Sequence, residues 1–251
     1  MRASVIVPAY QAETSIGAVV HGLVEHWPEP GAVIVVDDGS TDETGARAEE
    51  AGALVLKHQV NLGKGTALRT GLRHAENNNY DVAISVDADG QHPPSEAWRL
   101  HQACNDANAI VIGVRDLAAA GAPENSQWSN AFSDRVLSLF TGRQLDDTQC
   151  GLRRYPVKQT LALNARAKGY AYEAEVLIRA VAANMRIEHH AVTVIYPPEE
   201  DRISHFHNVR DPTRIVVCVV STVVEERCRA LFGKRQRNST STPNGTAHDT
   251  D

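Results

Sequence analysis

Val82-Ala83-Ile84-Ser85-Val86 runs directly into Asp87-Ala88-Asp89-Gly90-Gln91-His92, and the reading of this stretch decides the fold. The apolar run has the pattern of a strand covered on both faces. Beyond it, Asp87, Asp89 and Gln91 alternate, so extended backbone turns them toward one side of the strand end. Oxygen donors in that arrangement suit Mg2+ or Mn2+, and a bound cation can hold a diphosphate. The plainer reading is a pair of turn carboxylates ahead of Pro93-Pro94, because Asp and Gly favour turns. Placement after a buried strand favours the metal.

On either side the chain alternates strand and helix. Ser4 to Val7 reads as a first strand closed by Pro8, and Ile16 to Glu25 as a helix. Ala32 to Val36 reads as a second strand, with Thr41 or Asp42 capping a helix that runs to Ala51. Leu54 to Lys57 is a third strand, Lys64 to Glu76 a helix with Leu68 and Leu72 on one face, and Ala109 to Gly113 a fifth strand. This repetition predicts an α/β fold, a mostly parallel central sheet flanked by helices, with ligands beyond the carboxyl ends of the strands. Pro8-Ala9-Tyr10 stands where a dinucleotide-binding chain carries Gly-x-Gly-x-x-Gly.

The second half reads differently. Trp128 to Phe140 predicts an amphipathic helix with Phe132, Val136, Leu139 and Phe140 inward. Asp146 to Arg154 reads as loop and strand, Tyr172 to Asn184 as helix and Ile187 to Ile195 as extended. Tyr196-Pro197-Pro198 breaks regular structure. Residues 1–233 are expected to form a single domain. Its nucleotide-binding half runs to about residue 113 and its acceptor-side half from about 114. The polar segment 234–251 is expected to be a disordered tail.

Composition narrows the function. A net charge of -6 over 251 residues excludes a general nucleic-acid clamp. None of the 4 cysteines forms a CxxC pair, so zinc ligation has no support, and free thiols fit a reducing compartment. No secretory signal or membrane-length apolar run is visible, which points to the cytoplasm. Ile215 to Val224 reads as a buried helix segment or as a helix lying on a membrane surface. Oligomeric state is not legible.

Other polar residues gather at predicted strand ends. Of Asp37 and Asp38, one accepts from a nucleobase or ribose while the other caps Ser40 and Thr41, or both serve the turn. Gln59 to Gly65 exposes backbone at a helix start, where Lys64 adds positive charge for an anion. Asp147 reads as a base, as a residue that orients an acceptor, or as a strand-start cap. Arg202, with His205, follows the proline break and suits a diphosphate clamp on a loop that closes over a donor. Arg115, Arg135, Arg153 and Arg154 are further phosphate candidates. Glu173 and Glu175 open a helix, where the helix dipole alone accounts for acidic charge. Two acidic strand ends in one α/β domain point to an enzyme that handles a nucleotide-sugar.

These motifs, in this order, resemble family 2 glycosyltransferases of the GT-A fold, in the dolichyl/polyprenyl-phosphate branch. The resemblance rests on Val7 through Glu13, Val35 through Asp42, Asn61 through Gly65, Asp87 through Pro94, Gly113-Val114-Arg115 and Asp147 through Arg153. It implies metal-dependent inverting transfer of a hexose from a nucleotide diphosphate sugar to a polyprenyl phosphate or other lipid-linked acceptor. The donor and metal are the implied partners, at the inner face of a membrane. It assigns Pro8, Tyr10, Glu13, Asp37 and Asp38 to the nucleoside. Asp87, Ala88, Asp89 and Gln91 go to the metal and diphosphate, and Arg202 to the mobile loop. Asp147 falls beside the acceptor, with Arg115, Arg135 and Arg153 for the acceptor phosphate. Asp147-Thr148-Gln149-Cys150-Gly151 favours UDP-glucose over GDP-mannose. The chain departs from the pattern at Gln11, where Asn is usual, and at Glu124-Asn125-Ser126-Gln127-Trp128, where basic residues are usual. Transfer to a hydroxyl of a non-polyprenyl acceptor, and donor binding without catalysis, are the alternatives.

Overall fold

The computed structural model describes residues 1–196, 215–226 and 228. Its seven-stranded sheet has the order β3-β2-β1-β4-β6-β5-β7. The strands are β1 (Ala3–Ala9), β2 (Val33–Asp37), β3 (Leu54–Lys57), β4 (Val82–Ser85), β5 (Ile110–Arg115), β6 (Arg153–Pro156) and β7 (Ile187–Val192). The helices are α1 (Ile16–His26), α2 (Thr44–Glu50), α3 (Lys64–Asn77), α4 (Pro94–Gln102), α5 (Glu124–Thr141), α6 (Val157–Ala162) and α7 (Ala171–Ala182). A further helix spans residues 215–226.

Alternation along the strands feeds two apolar layers. Val5, Val7, Val33 and Val35 pack on one face with Ile16, Val20 and Leu23 of α1 and Leu100 of α4. Ile6, Ile34 and Val36 pack on the other with Leu68 and Leu72 of α3, Val176 and Leu177 of α7, and Val219 and Val223. Both faces of the sheet's centre are covered, so β1, β2 and β4 are nearly unbroken apolar runs, as the sequence predicts.

β6 is the one strand that runs against its neighbours, and it lies between β4 and β5. Its first residue, Arg153, pairs with Ser85, the last of β4. The turn leading into β6 is thereby delivered to the edge where Asp87 and Asp89 emerge. The Ser85 hydroxyl donates to the Gly151 carbonyl at 2.7 Å. Gly151 meets Asp87 so closely that a Cβ would overlap its carboxylate.

The second-half helix corrects the sequence reading. α5 starts at Glu124, before Trp128, and its apolar side chains do not all turn inward. Phe132 is 63% exposed, Leu139 80% and Trp128 74%. Phe140 is also exposed, Val136 is partly buried, and Leu137 is the buried apolar residue. The inward face instead carries Asn130, Ser133 and Asp134, because the turn at 145–149 offers hydrogen-bond donors there. Satisfying that backbone outweighs hiding the aromatic stripe.

Candidate active site

Lys64, the first residue of α3, reaches across the carboxyl edge of the sheet. Its Nζ lies 2.6 Å from Asp87 Oδ1 and 3.4 Å from Glu173 Oε1. Burial alone would discharge the lysine, but Asp87 and Glu173 hold its pKa well above the usual value. Burial likewise pushes the Asp87 carboxyl up, and Lys64 outweighs it, leaving Asp87 below the ordinary range. Lys64 and Arg115 relieve Asp89 less. Burial and then the charge of Asp87 push its pKa up to about 6. Asp89 Oδ1 accepts from the Gln91 N–H at 2.9 Å, so Gln91 contributes backbone to this carboxylate.

Asp87 and Asp89 fit a divalent cation that brings most of its own oxygen ligands. Mg2+ and Mn2+ are commonly held by one or two carboxylates together with phosphate oxygens and water. Among the described residues no group of three or more His, Cys, Asp or Glu forms a closed metal cage.

Arg115 ends β5 beside this pair. Its Nε and Nη2 donate to Asp147 Oδ2 and Oδ1 at 2.8 and 2.7 Å, and its backbone N–H adds a third bond to Oδ2 at 2.9 Å. The Asp147 side chain is 2% exposed and that of Arg115 12%. Asp147 has a positive φ of 48°, which a non-glycine residue adopts only when its surroundings enforce it. Asp134 of α5 does the enforcing. It accepts from Asp147 N at 3.0 Å and from Thr148 N and Oγ1, each at 2.7 Å. Of the roles the sequence left open for Asp147, this geometry favours orientation over general base, because three of its four lone-pair sites already accept from Arg115. Tyr196 is close enough to feel Arg115, Asp147 and Asp89, and burial raises its pKa.

At the ends of β1 and β2, three carboxylates serve the protein's own backbone. Asp37 is fully buried, and its Oδ1 accepts from Ser40 N at 2.9 Å. Asp38 accepts from Leu62 N at 3.0 Å and Gly63 N at 2.6 Å, with His58 Nδ1 2.6 Å away. It therefore pins the loop that presents Lys64. Glu13 accepts from Glu43 N at 3.1 Å. Pro8 and Tyr10 stay half-buried at the end of β1. Ala88 offers its carbonyl to Ser15 Oγ at 2.7 Å.

The arginines sort by burial. Arg153 is fully buried and donates to the carbonyls of Cys150, Glu173 and Thr148 at 2.8, 3.2 and 2.5 Å, so it does not face an acceptor. Arg154 is also buried and bonds the Ala109 and Asp106 carbonyls. Arg135 is exposed on α5, on a different side from Asp134. Arg202 and His205 lie outside the described residues. Cys150 is fully buried, and burial pushes its thiol up to about 12, which rules it out as a ready nucleophile. Sequence reasoning missed Asp134, His58 and Tyr196, and it explained Glu173 by its helix alone. None of these four belongs to a motif.

The profile of Glycosyl transferase family 2 matches residues 4–159. UDP-N-acetylglucosamine--dolichyl-phosphate N-acetylglucosaminyltransferase of Methanococcus voltae is 30% identical over 214 residues, 76% of this chain and 84% of the relative. Polyprenol monophosphomannose synthase of Mycolicibacterium smegmatis is 30% identical over 193 residues, 72% of each chain. Among solved structures, glucosyl-3-phosphoglycerate synthase from Mycobacterium tuberculosis in complex with Mg2+ and uridine-diphosphate superposes with a TM-score of 0.66. It is 20% identical and covers 90% of this chain and 79% of that one, a likeness of fold.

Asp89 yields a stability prediction for the metal-free protein. Its folded pKa lies above the unfolded value, so the fold gains from its protonated form. That gain is full below about pH 4 and is lost as pH rises through about 6. Because the Asp89 side chain is exposed, water screens much of that effect, and Asp89→Asn should raise stability at pH 7.5 by up to about 1 kcal/mol and change it little at pH 4. Thermal unfolding in a chelator at both pH values checks this; an equal effect at the two would refute it.

Proposed function

The chain belongs to glycosyl transferase family 2 and is a glycosyltransferase, and from that premise we propose that it transfers a hexose, with inversion, from a nucleotide diphosphate sugar to the phosphate of a polyprenyl phosphate. UDP-glucose is the proposed donor, supported by the Asp147-Thr148-Gln149-Cys150-Gly151 turn. Relatives named for UDP-N-acetylglucosamine and mannose transfer define the competing sugars.

The bidentate Arg115–Asp147 pair carries the acceptor reading. A hydroxyl acceptor must lose a proton to a base as it attacks. Asp147 is the acidic residue in that place, and it is committed to Arg115. A phosphate acceptor is already anionic near neutral pH and needs no base. Arg115 keeps Nη1 and a second Nη2 hydrogen for its oxygens. Asp147 is then the residue that aims the guanidinium.

On the donor side, Asp87 and Asp89 would hold Mg2+ or Mn2+, which supplies Lewis-acid stabilisation of the departing nucleoside diphosphate. Lys64, at the positive end of α3, faces the same leaving charge. Pro8 and Tyr10 border the proposed nucleoside pocket, and Arg202 remains the proposed clamp. Gly151, packed on Asp87, brings the acceptor turn against the donor group with no room for an intervening side chain.

The acceptor's lipid places this chemistry at a membrane surface, here proposed to be the cytoplasmic face. No helix among the described residues is long and apolar enough to cross a membrane. Trp128, Phe132 and Leu139 form an outward apolar stripe on α5, the helix whose opposite side holds the Asp147 turn. Such a face, with Arg135 in the same stripe, suits insertion among lipid headgroups.

Arg115→Lys should raise the KM for a polyprenyl phosphate about tenfold to a hundredfold with little change in donor KM, the cost of one or two charged hydrogen bonds. Asp147→Asn should reproduce that split and keep the shape of the pH–rate profile. Loss of the acidic limb of that profile would instead identify Asp147 as a base. Separately, Trp128→Ser with Phe132→Ser should abolish sedimentation with anionic vesicles while sparing turnover of a short, water-soluble isoprenyl phosphate. Unchanged sedimentation would remove α5 as the lipid contact.

A further inference from the structure

Glu173 makes a demand that the donor site alone does not explain. Its side chain is only 6% exposed, and its Oε1 accepts no hydrogen bond although Lys64 Nζ stands 3.4 Å away. A buried carboxylate oxygen without a donor is costly and calls for a reason. The ammonium it faces leans instead on Asp87, at 2.6 Å. One lysine thus stands between two carboxylates, tight on one and loose on the other. The Tyr170 ring borders it, with its centroid 5.6 Å from Nζ.

We infer that Lys64 occupies the cation position on Asp87 in the empty enzyme, and that Glu173 is the positioning residue that receives the ammonium when a divalent cation and a diphosphate take Asp87. The inference rests on the donor-site reading above and concerns how that site fills. A cation arriving alone meets an ammonium already in contact with its ligand, and like charges at that range repel strongly in a buried setting. A cation arriving with a nucleoside diphosphate brings anionic oxygens that hold both positive groups. Glu173 keeps the lysine paired, and therefore buried and charged, as it leaves Asp87. Metal and nucleotide affinities are then coupled, each tightening the other by the same factor.

Mn2+ titrations of the full chain, followed by the EPR signal of free Mn2+, test this with and without UDP or GDP. In the wild type the nucleotide should tighten Mn2+ binding markedly. Lys64→Met should bind Mn2+ alone about tenfold more tightly than the wild type, with a smaller further gain from nucleotide, because the resident cation is gone and only the phosphate ligands remain to be added. Lys64→Gln serves the same comparison if the methionine variant does not fold. Glu173→Gln should keep the wild type's weak binding of Mn2+ alone and lose about tenfold of the nucleotide-dependent gain. A Lys64 variant that binds Mn2+ alone no better than the wild type overturns the inference, as does a Glu173→Gln protein with full coupling. A wild type whose Mn2+ affinity ignores both nucleotides overturns the donor-site reading as well, which separates the two failures.

Discussion

The reversed strand β6 is the constraint on which the site depends. Every other strand runs one way, so the loops after β1, β2, β4, β5 and β7 all emerge on one edge. A parallel strand between β4 and β5 would deliver its leading turn to the far edge. Because β6 enters from the functional edge, Asp147 through Leu152 arrive beside Asp87 and Arg115. Ser85 and Gly151 then lock that arrival, one by a hydrogen bond and one by the absence of a side chain. Donor and acceptor chemistry meet through backbone register, before any side chain contributes.

Charge balance within that frame is uneven, and the unevenness is informative. Arg115 and Asp147 satisfy each other through parallel hydrogen bonds. Asp38 is absorbed into turns, while Asp37 bonds Ser40 through Oδ1 and keeps Oδ2 unbonded with Lys57 Nζ 3.6 Å away. Around Lys64 the count does not close: Asp87 is paired, Asp89 is pushed toward its neutral form and Glu173 keeps an unbonded oxygen. A structure selected only for stability would shed those carboxylates. Three carboxylates gathered on one lysine at the sheet edge suit a site held ready for added positive charge.

Much of this was readable in the chain, and the limits have physical causes. β-branched runs marked β2 and β4 because a sheet covered on both faces admits little else. Asp87 and Asp89 stood out because they alternate directly after a buried run, which turns both toward one side of the strand end. The direction of β6 was not legible, since Arg153 to Pro156 carries no period that distinguishes parallel from antiparallel pairing. Arg153 looked like a phosphate ligand because its partners are backbone carbonyls, which any residue supplies and no motif marks. Glu173 looked like ordinary helix-start charge because Lys64 is remote in sequence. α5 misled most: its aromatic spacing is that of a core helix, while its polar spacing, Asn130, Ser133 and Asp134, is what the neighbouring turn needed.

That inversion of α5 ties the lipid question to the catalytic one. The stripe from Trp128 to Leu139 covers about 16 Å of helix, and Asp134 sits near its middle. One helical turn therefore separates residues suited to the headgroup layer from the carboxylate that holds Asp147, and through it Arg115. An amphipathic helix in an interface sinks about 5–10 Å into the headgroup and acyl boundary. A helix so placed brings Arg115 near the level at which a lipid-borne phosphate leaves the bilayer. The hydrogen bonds between Asp134 and the Asp147 turn set which side of α5 faces inward, and Trp128, Phe132 and Leu139 are left outward on the other side, where a lipid surface would cover them. That stripe and the engaged carboxylate of Asp147 favour an acceptor that is anionic at its head and apolar behind it.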